Sequence, residues 1–279
     1  MASTASKIIL RDGRTLAYRT IGAPAGHPII FTHGNLNSRL FHPAWEKTDA
    51  QTCAANAHVI AVDRPGVGLS SPHPSRTYST FADDIQQLTA TLSLPTFSII
   101  GFSSGGPHAL ACAAYSVPNL ASCSLVSSDA PYLVMPGMTE RLYGTAVVTH
   151  EHAVGLSRTN AKGMRLGYAA MSKPTRVEIA MADVDAATRQ GYDGPASDSV
   201  LETGDWGFPL RMSEGMPPLR VWHGTEDYDV PVEAGRYLVA ECFRERGDEY
   251  FEIEGESHTL IRRHWQGILE ETIRAAIGE

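Results

Sequence analysis

Strand-length apolar runs recur along this chain, and segments of helical spacing or composition lie between them. The runs are PIIFTH at 28–33, HVIAVD at 58–63, FSIIG at 97–101, SCSLVS at 122–127 and LRVWH at 219–223. Near-continuous apolar strands are buried on both faces, which is the situation of strands in a parallel sheet. Alternation with helices then requires crossovers that cover both sides of that sheet. Between Thr77 and Leu94, Phe81, Ile85, Leu88 and Leu92 recur at helical intervals and predict one buried helix face, entered near Ser79 and Asp83. Trp45–Ala54, Pro107–Tyr115, Val232–Cys242 and the segment from His258 onward read as further helices, and Tyr250–Ile253 as a last strand. Lys7–Leu10 and Leu16–Ile21 flank an Asp12-Gly13 turn and predict an antiparallel hairpin. No internal repeat interrupts the pattern.

From Pro131 to about Met212 the alternation lapses into a mostly polar, helix-compatible stretch with weak apolar stripes. A length of 279 residues suits one α/β core carrying such an insertion. The expected organisation is core at 1–131, helical cap or lid at 132–212 and core again at 213–279. A formal charge of −8 with no basic run argues against nucleic acid and leaves a small neutral or apolar molecule as the easier partner. No stretch is apolar for long enough to span a membrane, and Met1–Ser6 lacks the basic and apolar regions of a secretory leader, so a cytoplasmic location is expected. Cys53, Cys112, Cys123 and Cys242 form no C-x-x-C pair and are expected to be reduced. His150 and His152 have the wrong spacing for a shared helix face, and no metal is expected there. A large apolar lid surface would favour a homodimer.

The candidate site begins at Gly101-Phe102-Ser103-Ser104-Gly105, a G-x-S-x-G pattern between an apolar run and an alanine-dense helix. A strand that turns into a helix within two residues strains its central residue, and small residues at either side relieve the crowding. The turn also leaves the Ser104 amide at a helix start, where free donors and the helix dipole favour an anion. The bland alternative is a Gly/Ser-rich loop that caps a helix. A serine hydroxyl needs a base, and the base an orienting acid. Carboxylates at 226, 227 and 229 follow the LRVWH run, and His258 follows the last strand, so parallel strand ends could bring Ser103, a carboxylate and His258 to one crevice.

The order Ser, Asp, His resembles that of the alpha/beta-hydrolase superfamily, and the resemblance runs over nearly the whole chain. His33-Gly34-Asn35 resembles that family's oxyanion loop, Asp63-Arg64-Pro65-Gly66-Val67-Gly68-Leu69-Ser70 its D-R-P-G-x-G-x-S turn, and Gly224 to Pro231 its G-x-x-D-x-x-V-P pattern. The resemblance implies an eight-stranded, mainly parallel sheet with helices on both faces and a cap after the sixth strand. It implies Ser103 as nucleophile, His258 as general base, Asp227 as acid, and the amides of Asn35 and Ser104 as oxyanion donors, with no cofactor. Asp129, Glu226 and Asp229 are rival acids, and Leu36 is the rival oxyanion amide. His33, His108 and His223 are expected to be structural. Tyr132, Met135, Trp206 and Phe208 flank the lid and are candidates to line an apolar pocket, or to pack lid on core.

The activity so implied is hydrolysis of a small carboxylic ester or lactone. A serine at the elbow argues against the epoxide hydrolases and haloalkane dehalogenases of this superfamily, which use a carboxylate there. An iminopeptidase stays open and would need lid carboxylates, among Glu178, Asp183, Asp185 and Glu202, to hold an amine. Lyase-like or C–C bond-cleaving chemistry, a cofactor-free oxygenase, and a ligand receptor that retains the triad are the other readings.

Overall fold

A computed structural model describes residues 5–211, 215–243 and 247–278. The first residues of the chain and the expected cap boundary at 212/213 therefore lie outside the described residues. The eight strands are β1 (Ser6–Ile9), β2 (Thr15–Gly22), β3 (His27–Thr32), β4 (Ala57–Val62), β5 (Phe97–Phe102), β6 (Leu120–Val126), β7 (Leu219–Gly224) and β8 (Glu249–Ile253). They form one sheet in the order β1-β2-β4-β3-β5-β6-β7-β8. β1 and β2 are the expected hairpin, with Lys7 opposite Ala17, and β2 also runs antiparallel to β4. Every other pair is parallel.

Helices cover both faces, as the alternation of the sequence requires. On one side α2 (Tyr78–Thr91), α3 (Gly105–Ala114) and α8 (Val232–Cys242) bring Ile85, Leu110 and Leu238 against Ile30, Ile60 and Ile99. On the other, α1 (Thr48–Ala54) and α9 (Ile261–Ile277) flank the sheet, and Trp265, Ile268 and Leu269 of α9 pack on Ile29, Val59 and Ile100. The helix entry expected at Ser79 lies two residues earlier. Thr77 accepts from the Thr80 amide at 3.2 Å, and its own amide donates to Thr80 Oγ1 at 2.9 Å. This reciprocal cap uses two threonines where glutamate is the usual second partner.

Between β6 and β7 the chain leaves the sheet and forms α4 (Met138–Tyr143), α5 (His150–Ala169), α6 (Pro174–Ala187) and α7 (Asp193–Thr203). α5 buries only small residues, Ala153, Ser157 and Ala161, which explains why its stripe is faint in the sequence. Buried polar contacts add to apolar ones, such as Leu36 with Ala161 and Val184, in fixing this insertion to the core. Asp198 of α7 receives Arg64 at 2.6 Å and is also bridged by Arg76, all three deeply buried. Asp183 of α6 accepts from the Ser38 amide at 2.9 Å, from Ser38 Oγ at 2.7 Å and from Asn37 Nδ2 at 2.8 Å. Among the described residues no helix is long and apolar enough to cross a membrane.

Candidate active site

β5, β7 and β8 are parallel and lie close in the sheet order, so the segments that follow them open on the same edge. Ser103 follows β5 directly, Asp227 lies three residues beyond β7, and His258 follows the loop after β8. Their side chains meet there. Ser103 Oγ stands 3.1 Å from His258 Nε2, and His258 Nδ1 stands 2.9 Å from Asp227 Oδ2. A carboxylate can only accept, so the imidazole proton sits on Nδ1 and Nε2 is free to accept from the serine hydroxyl. Asp227 is itself held by the amides of Val230 at 2.8 Å and Asp229 at 3.1 Å.

Ser103 has φ +53°, the left-handed conformation expected of a strand-to-helix elbow. The glycines around it are required by contact. A Cβ on Gly101 would come within 2.7 Å of Gly106 Cα and 2.8 Å of Ala109 Cβ, and one on Gly105 would strike the Thr32 carbonyl. The elbow also places Ser104 at the N-cap of α3, with its amide at the positive end of that helix.

The loop after β3 borders the same cavity, through Asn35 and Leu36. Arg64 of the D-R-P-G turn donates to the carbonyls of His33 and Gly34, which holds those two peptides in place. Leu36 has φ +55°, and its amide donates to Asn35 Oδ1 at 2.8 Å. Asn35 Nδ2 in turn donates to Ser199 Oγ of α7 at 3.1 Å.

The other histidines are engaged elsewhere. His33 is buried against the Gly34 carbonyl, and burial with the nearby Arg64 charge holds it well below the usual histidine range. His108 meets the Ser104 carbonyl at 2.9 Å between the rings of Tyr78 and Phe81, and His223 meets the Val230 carbonyl at 2.8 Å. His152 contacts the Tyr143 carbonyl and His150 faces Asp193, on separate partners. Of the rival acids, Asp129 is buried and accepts from the Tyr132 hydroxyl, while His258 Nδ1 donates to Asp227 and to neither Glu226 nor Asp229.

Burial tends to lower the pKa of His258, but its hydrogen bond to Asp227 and that residue's charge outweigh this and raise it above 6.5. A histidine that serves as base must be neutral to accept a proton, so a reaction that runs through His258 is expected to be lost on the acid side with a midpoint above 6.5. The check is kcat/KM from pH 5 to 9. A midpoint at or below the ordinary histidine value would contradict the coupling to Asp227.

A cavity of about 810 Å³ opens over Ser103 and His258. Its apolar wall is Leu36, Phe41, Phe102, Leu142, Leu156 and Met164, drawn from both core and insertion. Tyr132, Met135, Trp206 and Phe208, open to lining it or to packing lid on core, are not among its lining residues. Trp206 and Phe208 pack edge-on to Tyr78, and Tyr132 and Met135 join the same core cluster, so all four sit in the seam between insertion and core. Sequence reasoning passed over Met164 and Leu156 because α5 offers no clean apolar stripe.

An elbow serine linked through histidine to a carboxylate, at the C-terminal edge of an eight-stranded, mostly parallel sheet, is the arrangement that defines the alpha/beta hydrolases. This chain belongs to that superfamily. Residues 27–153 match the family described as alpha/beta hydrolase fold. The chain is 32% identical over 237 residues to the non-heme chloroperoxidase CPO-A1 of Kitasatospora aureofaciens, covering 80% of this chain and 82% of that protein. It is 31% identical over 110 residues to a proline iminopeptidase of Arabidopsis thaliana, a match that takes in 36% of this chain and only 26% of that protein. An esterase from Exiguobacterium antarcticum shares the fold, with a TM-score of 0.70 at 18% identity over 98% of this chain and 100% of that one.

Proposed function

We propose that the chain is a serine hydrolase that cleaves a small carboxylic ester or lactone through an acyl-enzyme on Ser103. The observation that carries this reading is the unbroken path from Ser103 Oγ through His258 to Asp227, opening on a cavity lined by both apolar and polar side chains. In the first half-reaction Ser103 Oγ attacks the carbonyl carbon while His258 Nε2 takes its proton, and Asp227 stabilises the imidazolium. The amides of Ser104 and Asn35 hold the developing oxyanion, each donor being worth about 3 kcal/mol to the transition state. Engagement of the Leu36 amide by Asn35 Oδ1 favours Asn35 over Leu36 in that role. His258 then protonates the leaving alcohol, and water repeats the sequence to release the acid.

In this reading residues 132–212 act as a cap whose inner wall selects the substrate, the substrate is neutral or apolar, and the protein works in the cytoplasm without a cofactor. The relative named non-heme chloroperoxidase supports a second reading, in which the same triad serves a reaction other than hydrolysis. Fluorophosphonate labelling with peptide mapping, run beside a panel of short-chain esters and lactones, separates them. Modification at Ser103 together with turnover is expected. Modification without turnover would move the assignment to non-hydrolytic chemistry, and no modification would remove the activated serine from both.

A further inference from the structure

Two buried carboxyls lie on the wall of the same cavity, outside the Ser103–His258–Asp227 path. Asp129 follows β6 and Glu202 lies in the last turn of α7, and both border the cavity together with Ser103 and Ser104. Each already receives one tyrosine hydroxyl: Tyr132 donates to Asp129 Oδ1, and Tyr143 donates to Glu202 Oε2 at 2.6 Å. The Ser104 side chain stands beside both. Glu202 is 1% exposed, yet its Oε1 has no hydrogen-bond partner. A buried polar oxygen left in that state costs free energy that folding alone does not explain, and a ligand in the cavity would satisfy it.

We infer that Glu202 and Asp129 form a polar subsite that takes a hydroxyl group carried by the substrate, a specificity determinant beside Ser103 that rests on the hydrolase reading above. Burial raises the pKa of each carboxyl, and for Glu202 the neighbouring Asp129 charge raises it further, so the pair retains a proton where an isolated carboxylate would not. Tyr143 occupies Oε2, which leaves Oε1 as the atom to carry that proton toward a ligand. A protonated carboxyl and a carboxylate on one cavity wall offer a donor and an acceptor. A hydroxyl matches both, an aliphatic chain matches neither, and an ammonium would require the proton to leave.

The test compares kcat/KM for methyl butyrate with methyl 3-hydroxybutyrate, and for propyl butyrate with 2-hydroxypropyl butyrate, so that a hydroxyl is offered on either side of the ester. A preference of about tenfold or more for the hydroxylated member of at least one pair is expected, because a site built to bind a hydroxyl discriminates strongly against its absence. In Glu202→Leu the ratio should collapse toward one, and Glu202→Gln, which retains a donor and an acceptor, should restore part of it. Calorimetric binding of the same pairs to Ser103→Ala protein should show the same order of preference. That readout needs no turnover, so failure of the hydrolase reading is seen in the plain esters and failure of the subsite in the ratio. Equal rates and equal binding within each pair would overturn the subsite, as would a stronger preference for methyl 3-aminobutyrate.

Discussion

Ser103→Ala is expected to lower ester kcat/KM by a factor of about 10⁴ or more, leaving only what the oxyanion amides and binding supply. The path that links His258 to Asp227 has no other outlet: Nε2 faces Ser103 Oγ at 3.1 Å, and with that oxygen gone the base has no hydroxyl to activate. Ser104→Ala makes the informative comparison. Its side chain faces Asp129 and Glu202, whereas its proposed catalytic part is the backbone amide at the start of α3, which alanine keeps. A loss of about tenfold or less is therefore expected for Ser104→Ala, an effect on the scale of one modest hydrogen bond. Steady-state kinetics on one ester with both variants decides the matter, and equal losses would refute the division between hydroxyl and amide.

The largest effect on stability is expected from Asp198→Ala. Arg64 has no exposed side-chain surface and Arg76 has 6%, and both converge on the Asp198 carboxylate. Removing it leaves two buried guanidinium groups uncompensated, which costs about 3–5 kcal/mol. Asp193→Ala lies on the same helix but is 81% exposed, and its change should stay within about 0.5 kcal/mol. Urea denaturation of the two variants gives the comparison directly, and similar midpoints would show that the buried cluster contributes little. Burial by itself would raise the pKa of Asp198, but the charges of Arg64 and Arg76 overcome this and hold it below the usual carboxylate range. Its contribution is thus fully present above about pH 4, the ordinary aspartate value, and is lost as the pH falls toward the depressed one.

The meeting of Ser103, His258 and a carboxylate was legible in the sequence because the segments that carry them follow apolar runs, and a parallel sheet gathers such ends at one edge, whereas Asp227 in preference to Glu226 or Asp229 rested on the family resemblance alone. The hairpin, the eight strands and the buried face of α2 follow from the same local periodicities. The contacts of the insertion were not legible. Asp198 meets Arg64 across 134 positions and Asp183 meets Ser38 across 145, and no local pattern encodes pairings at that range. A partial signal did exist in Arg64 and Arg76, since a buried arginine demands a carboxylate, but a loop sequence does not reveal burial. Tyr132, Met135, Trp206 and Phe208 mark the two places where the chain leaves and rejoins the core, and aromatic residues there close the seam over Tyr78. The helix entry was misplaced by two residues because threonine, serine and threonine at 77, 79 and 80 compete for one cap.

The salt-bridged attachment of the insertion bears on how such chains can be recombined. A chimera whose incoming helices carried no carboxylates in place of Asp198 and Asp183 would leave Arg64 and Arg76 without their counter-charge and the donors at Asn37 and Ser38 without their acceptor. Residues 34–39, 64–76 and 174–203 are therefore one packing unit, and an exchange of the insertion keeps its buried charges paired when all three segments move together.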